Sequence, residues 1–264
     1  MSTVIGIGAH KGGVGKTTAS YNLSAGLAYR GYKVLGIDID SQGNLTYVFR
    51  IKRYSGITGA LQHDDDLSDV VRPVDPGYWM GDSSHGDGSL YVLGSNSDLG
   101  LEAMMEFCRH NPLRLQEYLA EYRDLFDFVI IDTPPTHSPY HSMVYRAADY
   151  IIIPTEMTGV SFMSMSEVMA AVKEVQFQHS VQIAGVLPNK VSRHKDDLDA
   201  LAEQKDRLGD LLWPEIHEAA VWAKAFNRRK PLYEYVSSSM HPAARRAVHE
   251  LWQVVDRVEA LRNG

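Results

Sequence analysis

The octapeptide Lys11-Gly12-Gly13-Val14-Gly15-Lys16-Thr17-Thr18 follows an apolar run at Val4, Ile5 and Ile7 and leads into helical periodicity from Thr17 to Tyr29. A strand that turns through three glycines into a helix directs backbone N–H groups, and the partial positive charge of the helix N-terminus, at one point in space. That is a phosphate-binding loop: Lys16 is placed to reach the β- and γ-phosphates of ATP or GTP, and Thr17 stands where such loops carry a magnesium-binding hydroxyl. The strict pattern has glycine five residues before Gly15. Here that position is His10, so the loop is a deviant one.

Two further blocks accompany it, Gly36-Ile37-Asp38-Ile39-Asp40-Ser41-Gln42-Gly43-Asn44 and Phe126-Asp127-Phe128-Val129-Ile130-Ile131-Asp132-Thr133-Pro134-Pro135. With Lys11 in the position of a second lysine, these blocks make the chain resemble the ParA-type partition ATPases, a deviant phosphate-loop family. The likeness extends through Ile151–Glu156 and Gly185–Lys190 and weakens in the last quarter. The resemblance implies a Mg2+-dependent ATPase that forms an ATP-dependent homodimer, with Lys11 crossing to the partner's nucleotide. It implies that Asp40 orients the attacking water and that Asp132 is the second metal carboxylate, holding magnesium through water. Ser41 replaces the proline usual in that block.

The residues support an enzyme in their own right. Asp40 lies just past the apolar run Val34–Ile39 and Asp132 ends Phe128–Ile131, and carboxylates at the carboxyl ends of buried strands face the ligand crevice of an open α/β sheet. Phosphoryl transfer is mostly positioning and electrostatics, which suits Lys16 and Asp40 to catalysis and Thr17, Asp40 and Asp132 to the metal, and the resemblance adds Lys11 to the catalytic residues. Asp38 lines the same region. Taken alone, each Asp also fits a helix cap or a turn.

Apolar runs at Val4–Ile7, Val34–Ile39, Phe128–Ile131, Tyr150–Ile153 and Ile183–Leu187 alternate with helical patterns. This predicts an α/β fold, a mostly parallel twisted sheet covered by helices on both faces, in one domain spanning 1–264. The helix over Thr17–Tyr29 is expected to pack Ala19, Leu23, Leu27 and Ala28 on the sheet and to end at Gly31. Asp64–Gly88, with its acidic run, Pro73, Pro76 and glycines, reads as surface loops within a partly irregular insertion over 64–98. The start of the chain, a few residues before its first strand, leads us to expect no N-terminal helix-turn-helix domain and hence no sequence-specific operator binding.

The lone Cys108 excludes an intrachain disulfide and disfavours an iron–sulfur cluster; on a helix near Leu99–Arg109 it reads as a buried structural thiol. His137 and His141 have helical ligand spacing, but Pro139 between them argues against a zinc site. No signal peptide precedes the loop, and no apolar run approaches the ~20 residues of a membrane span, so a cytoplasmic location is expected. A final helix near Pro242–Leu261 carries Val248, Leu251, Val255 and Val258 on one face. It ends Ala260-Leu261-Arg262-Asn263-Gly264, a poor membrane anchor.

Net charge is −7, yet Lys224, Arg228, Arg229, Lys230, Arg245 and Arg246 face only Glu234 between residues 224 and 246, within a C-terminal region over 212–264 with a basic surface. Such a patch either contacts DNA phosphates without reading bases or forms a solvated turn before Pro231. The resemblance favours non-specific double-stranded DNA, and hence a nucleoid-associated protein that positions a plasmid, chromosome or other cargo with a ParB-like activator. The family's proline and arginine after its short strand are here Ile216-His217-Glu218. Asn189 either meets the adenine edge, as the matching segment does in the family, or is a turn residue after Pro188. Two other functions share the loop: a MinD-like membrane-cycling regulator and an ATP-dependent metabolic ligase.

Overall fold

In a computed structural model, described over residues 1–52, 54, 56–80, 87–95, 101–135, 138–237 and 241–263, the chain folds around one seven-stranded sheet. Its strands are β1 (Thr3–Ile7), β2 (Lys33–Asp38), β3 (Val71–Pro73), β4 (Ser89–Leu93), β5 (Phe128–Asp132), β6 (Tyr150–Thr155) and β7 (Gln182–Pro188), in the order β3-β4-β2-β5-β1-β6-β7. All neighbours pair in parallel except β3, which runs antiparallel to β4 at the edge.

Strand periodicity of two sends alternate residues to opposite cores. Val4, Leu35, Ile37, Val129 and Ile131 enter one cluster; Ile5, Ile7, Val34, Phe128 and Ile130 enter the other. The helices are α1 (Lys16–Tyr29), α2 (Asn44–Val48), α3 (Gly56–Thr58), α4 (Leu67–Val70), α5 (Leu101–His110), α6 (Arg114–Ala120), α7 (Pro139–Ala147), α8 (Gly159–Gln176), α9 (Lys195–Leu208), α10 (Ala220–Asn227), α11 (Leu232–Val236) and α12 (Pro242–Asn263). α5 to α8 cover the first face; α1, α2 and α10 to α12 cover the second. The expected α/β architecture is the observed one.

Two local differences from the sequence reading have physical causes. The segment read as surface loops includes α4, the edge strand β3 and the start of the run to β4, which pairs with β2 along its full length. Trp79 in that segment is buried, and its carbonyl accepts from Tyr233 Oη at 2.7 Å. Pro73 is tolerated because an edge strand leaves one side of its backbone unpaired. The second difference is α1, which is buried nearly all round rather than on one face: Ser20, Asn22 and Ser24 are as enclosed as Leu23 and Leu27. The sheet lies on one side of it and α12 on the other, so its small hydroxyl residues are interior and no amphipathic stripe is needed.

Cys108 is buried on α5, and the region of Leu99, where that helix was expected to begin, falls outside the described residues. So does His137. His141 sits on α7, where Pro139 occupies the first turn, a position that suits proline, so it starts the helix rather than breaking it.

Candidate nucleotide site

The crevice forms where β1 hands the chain to α1 between the ends of β5 and β6. Register places Ile7 beside Asp132, and Asp132 beside Asp38, so the two carboxylates end neighbouring strands, Asp132 next to the glycine loop and Asp38 one strand further out. Gly13 (φ +80°) and Gly15 (φ +94°) take left-handed backbone, and a Cβ on Gly15 would lie 2.2 Å from Asn189 Nδ2. Glycine is therefore required at Gly15 both for its backbone and for the approach of β7. No side chain caps α1 at this end, which leaves the N–H groups of its first turn aimed into the crevice.

Lys16 is buried and donates from Nζ to the Lys11 carbonyl at 3.2 Å. Burial lowers its pKa, while the charges of Asp132 and Asp40 oppose the shift. Asp132 accepts from Thr17 Oγ1 at 2.8 Å and from Ser20 Oγ at 2.9 Å. Desolvation pushes its carboxyl up to about 6, restrained by those hydroxyls and the Lys16 ammonium. Asp38 accepts at 2.7 Å from both the backbone N–H and the hydroxyl of Thr46 through one oxygen, and its other oxygen is buried without a hydrogen-bond partner. Burial, reinforced by Asp132, pushes it up to about 7. Asp40 is almost enclosed and accepts from the Gln42 N–H at 3.0 Å, fixing the turn into α2.

Thr17, Asp40 and Asp132 thus offer a hydroxyl and carboxylates, the hard oxygen donors magnesium takes. The described residues form no cluster of three or more His, Cys, Asp or Glu able to cage an ion. A magnesium held by one or two carboxylates, water and phosphate oxygens fits that donor set; an ion needing a complete protein cage does not.

Lys11 turns back into its own chain, with Nζ 2.6 Å from Glu156 Oε2 and 2.9 Å from Ser161 Oγ. Lys190 joins it, donating to the Gly13 carbonyl at 2.5 Å and to Glu156 Oε1 at 3.1 Å. Asn189 donates to the Val14 carbonyl at 2.7 Å and lines a cleft of about 690 Å3 together with Gly15, Thr18, Ile216 and Trp222. The cleft is mostly apolar and opens beside the loop. Ile216 and His217 wall it, with His217 tied to Glu250 on α12 at 2.9 Å.

The predicted basic residues separate on inspection. Lys230 is paired with Glu234 at 2.9 Å and Arg246 with Glu250 at 3.2 Å, while Lys224, Arg228 and Arg245 are exposed. Arg229 donates to Tyr47 Oη at 2.8 Å. Four contributors escaped the sequence reading: Glu156, Ser20, Tyr47 and the cleft wall made by Ala219, Ala220 and Trp222. Ser20 alone carried a signal, since it lies one helical turn from Thr17 on the same face.

A sequence profile described as an AAA domain matches residues 2–184. Protein IncC of Escherichia coli is 28% identical over 251 residues, covering 94% of this chain and 66% of IncC, so the chain spans slightly under two thirds of that relative. Sporulation initiation inhibitor protein Soj of Bacillus subtilis is 31% identical over 193 residues, 71% of this chain and 72% of Soj. Among solved structures, an ATP complex of a Cyanothece McdA variant superposes with a TM-score of 0.78 at 23% identity, covering 95% of this chain and 96% of that one. Cobyrinic acid a,c-diamide synthase from Mycobacterium smegmatis, with bound ADP and magnesium, gives 0.71 at 26% identity, covering 86% and 92%.

Proposed function

The chain belongs to the ParA/MinD superfamily of P-loop ATPases, and from that premise we propose that it hydrolyses ATP slowly as a positioning switch, closing an ATP-dependent dimer that binds double-stranded DNA without sequence preference. The observation that carries the nucleotide half is the pairing of Thr17 Oγ1 with Asp132 Oδ2 at 2.8 Å beside the buried Lys16.

In this reading Gly12, Gly13, Val14, Gly15 and Thr18 supply backbone N–H groups to the phosphates, and Lys16 turns from the Lys11 carbonyl to the β- and γ-oxygens. Thr17 and Asp132 would hold magnesium, with Asp40 at its margin, and the ion would supply charge that offsets the phosphates. Asp40 orients the water that attacks the γ-phosphorus. Asn189 and the cleft beside it receive the adenine. Lys11 leaves Glu156 to reach across the dimer, and a cargo-bound, ParB-like protein speeds hydrolysis and release.

The DNA half rests on the exposed cations at the α10–α11 turn. Salt-titrated binding to random-sequence duplex, with ATP, with ADP and without nucleotide, tests it. ATP-dependent binding that fades with salt and is lost in an Arg228→Ala, Arg229→Ala double variant supports the switch. ATP-dependent binding to anionic liposomes in place of DNA would favour the membrane-cycling alternative. Turnover with a small-molecule carboxylate and no affinity for either would favour a ligase.

A further inference from the structure

The turn that follows Asp40 and the basic turn at Arg228 and Arg229 are far apart in sequence, yet one arginine–tyrosine contact and one arginine–carbonyl hydrogen bond join them. The Arg229 guanidinium lies 3.9 Å from the centre of the Tyr47 ring and also donates to its hydroxyl at 2.8 Å. Arg50 stacks at 4.3 Å on Tyr78 and donates to the Arg228 carbonyl at 3.3 Å. Arg50 (φ +62°) and Arg229 (φ +52°) both adopt left-handed backbone, which non-glycine residues seldom take unless neighbours hold them there.

The other end of this assembly is indexed to the nucleotide carboxylates. Gly43 N–H donates to the Asp40 carbonyl at 2.9 Å, and Thr46, next to Tyr47, is fastened to Asp38. Tyr47 itself is 54% exposed on α2. Among the described residues Arg50, Arg228 and Arg229 form no ion pair with a carboxylate, although the chain is acidic overall. Two guanidinium groups seated over aromatic rings without a carboxylate partner, next to the exposed Arg228, suit the planar, two-pronged bonding of phosphate.

We propose that Tyr47, Arg50, Arg228 and Arg229 form one surface for the phosphates of duplex DNA, and that Tyr47 positions Arg229 so that the state of the Asp40 turn sets the affinity of that surface. The proposal rests on the DNA-binding reading above and adds Tyr47 and Arg50 to it. Tyr47 is a positioning residue; Arg50 is a phosphate contact.

Binding to random-sequence duplex is measured for the full chain with a non-hydrolysable ATP analogue and without nucleotide, across a salt titration. Tyr47→Ala should weaken analogue-dependent binding several-fold, and Tyr47→Phe, which keeps the ring, should restore most of it. Arg50→Ala should reduce the salt slope by about one counterion. Wild-type affinity and slope in both Tyr47→Ala and Arg50→Ala would overturn the proposal. Should the wild-type chain bind no DNA in any state, the DNA reading fails by itself, and the coupling is read through phenylglyoxal modification of Arg229. A modification rate that changes with the ATP analogue, and loses that change in Tyr47→Ala, supports the coupling; a rate indifferent to nucleotide overturns it.

Discussion

Lys11 Nζ lies 2.6 Å from Glu156 Oε2, so the lysine that distinguishes this loop is held within its own chain by a carboxylate at the end of β6. Glu156 is shared with Lys190, which also grips the Gly13 carbonyl; one anion therefore closes the loop from two sides. Before Lys11 can serve another site, that pair must part.

Replacing Glu156 with Gln should accordingly lower the ATP concentration at which the chain dimerises, while costing the nucleotide-free protein about 1 kcal/mol of stability. Sedimentation velocity across an ATP titration reads the first effect and denaturant unfolding the second. An unchanged midpoint of dimerisation would show that the pair does not restrain Lys11.

Lys16→Gln should reduce ATP affinity by about 3 kcal/mol, since it removes a buried cation from phosphate contact. Asp40→Ala should leave affinity within a few-fold and slow hydrolysis ~100-fold or more. Isothermal titration and single-turnover hydrolysis separate the two roles, and equal losses of binding in both variants would contradict the assignment.

Gly15→Ala forces a side chain onto left-handed backbone, a strain of roughly 1–2 kcal/mol, and drives its Cβ into the Asn189 amide. Nucleotide binding should be lost before the fold is. Circular dichroism alongside titration with a fluorescent ATP analogue distinguishes those outcomes.

Asp38 titrates near 7 in the fold, against the ordinary acidic carboxylate value when unfolded. Between those values the folded chain binds the extra proton, so this group's contribution is complete at the acid end and is lost as pH rises to about 7. Thermal unfolding of the nucleotide-free protein between pH 5 and 8 should show a declining Tm component that Asp38→Asn removes.

Burial pushes the Cys108 thiol up to about 12, so it remains protonated and enclosed at neutral pH. A disulfide reagent should leave it unmodified in the native protein and titrate one thiol after unfolding. Rapid native-state modification would mean that α5 opens readily.

Much of this was legible because the signals were local. Val4, Val34 and Phe128 begin short, Val- and Ile-rich apolar runs that read as buried strands, and the loop, Asp40 and Asp132 fall at their ends where sheet geometry gathers them. β3 was hidden by its three-residue length and Pro73, and β4 by the polar, glycine-rich stretch before it. Glu156 and Tyr47 belong to no pattern, since each acquires meaning only from a partner more than a hundred residues away. Lys230 and Arg246 were read as cations but not as cations already paired, although Glu234 and Glu250 stand four residues on, the spacing at which helical neighbours meet.

The enclosure of α1 between the sheet and α12 also sets a timetable. The helix behind the loop has one flank bare until residues 242–263 have been made, more than two hundred residues after it. A nascent chain that already carries the complete phosphate-binding octapeptide therefore still shows water a face of α1 that the finished fold encloses.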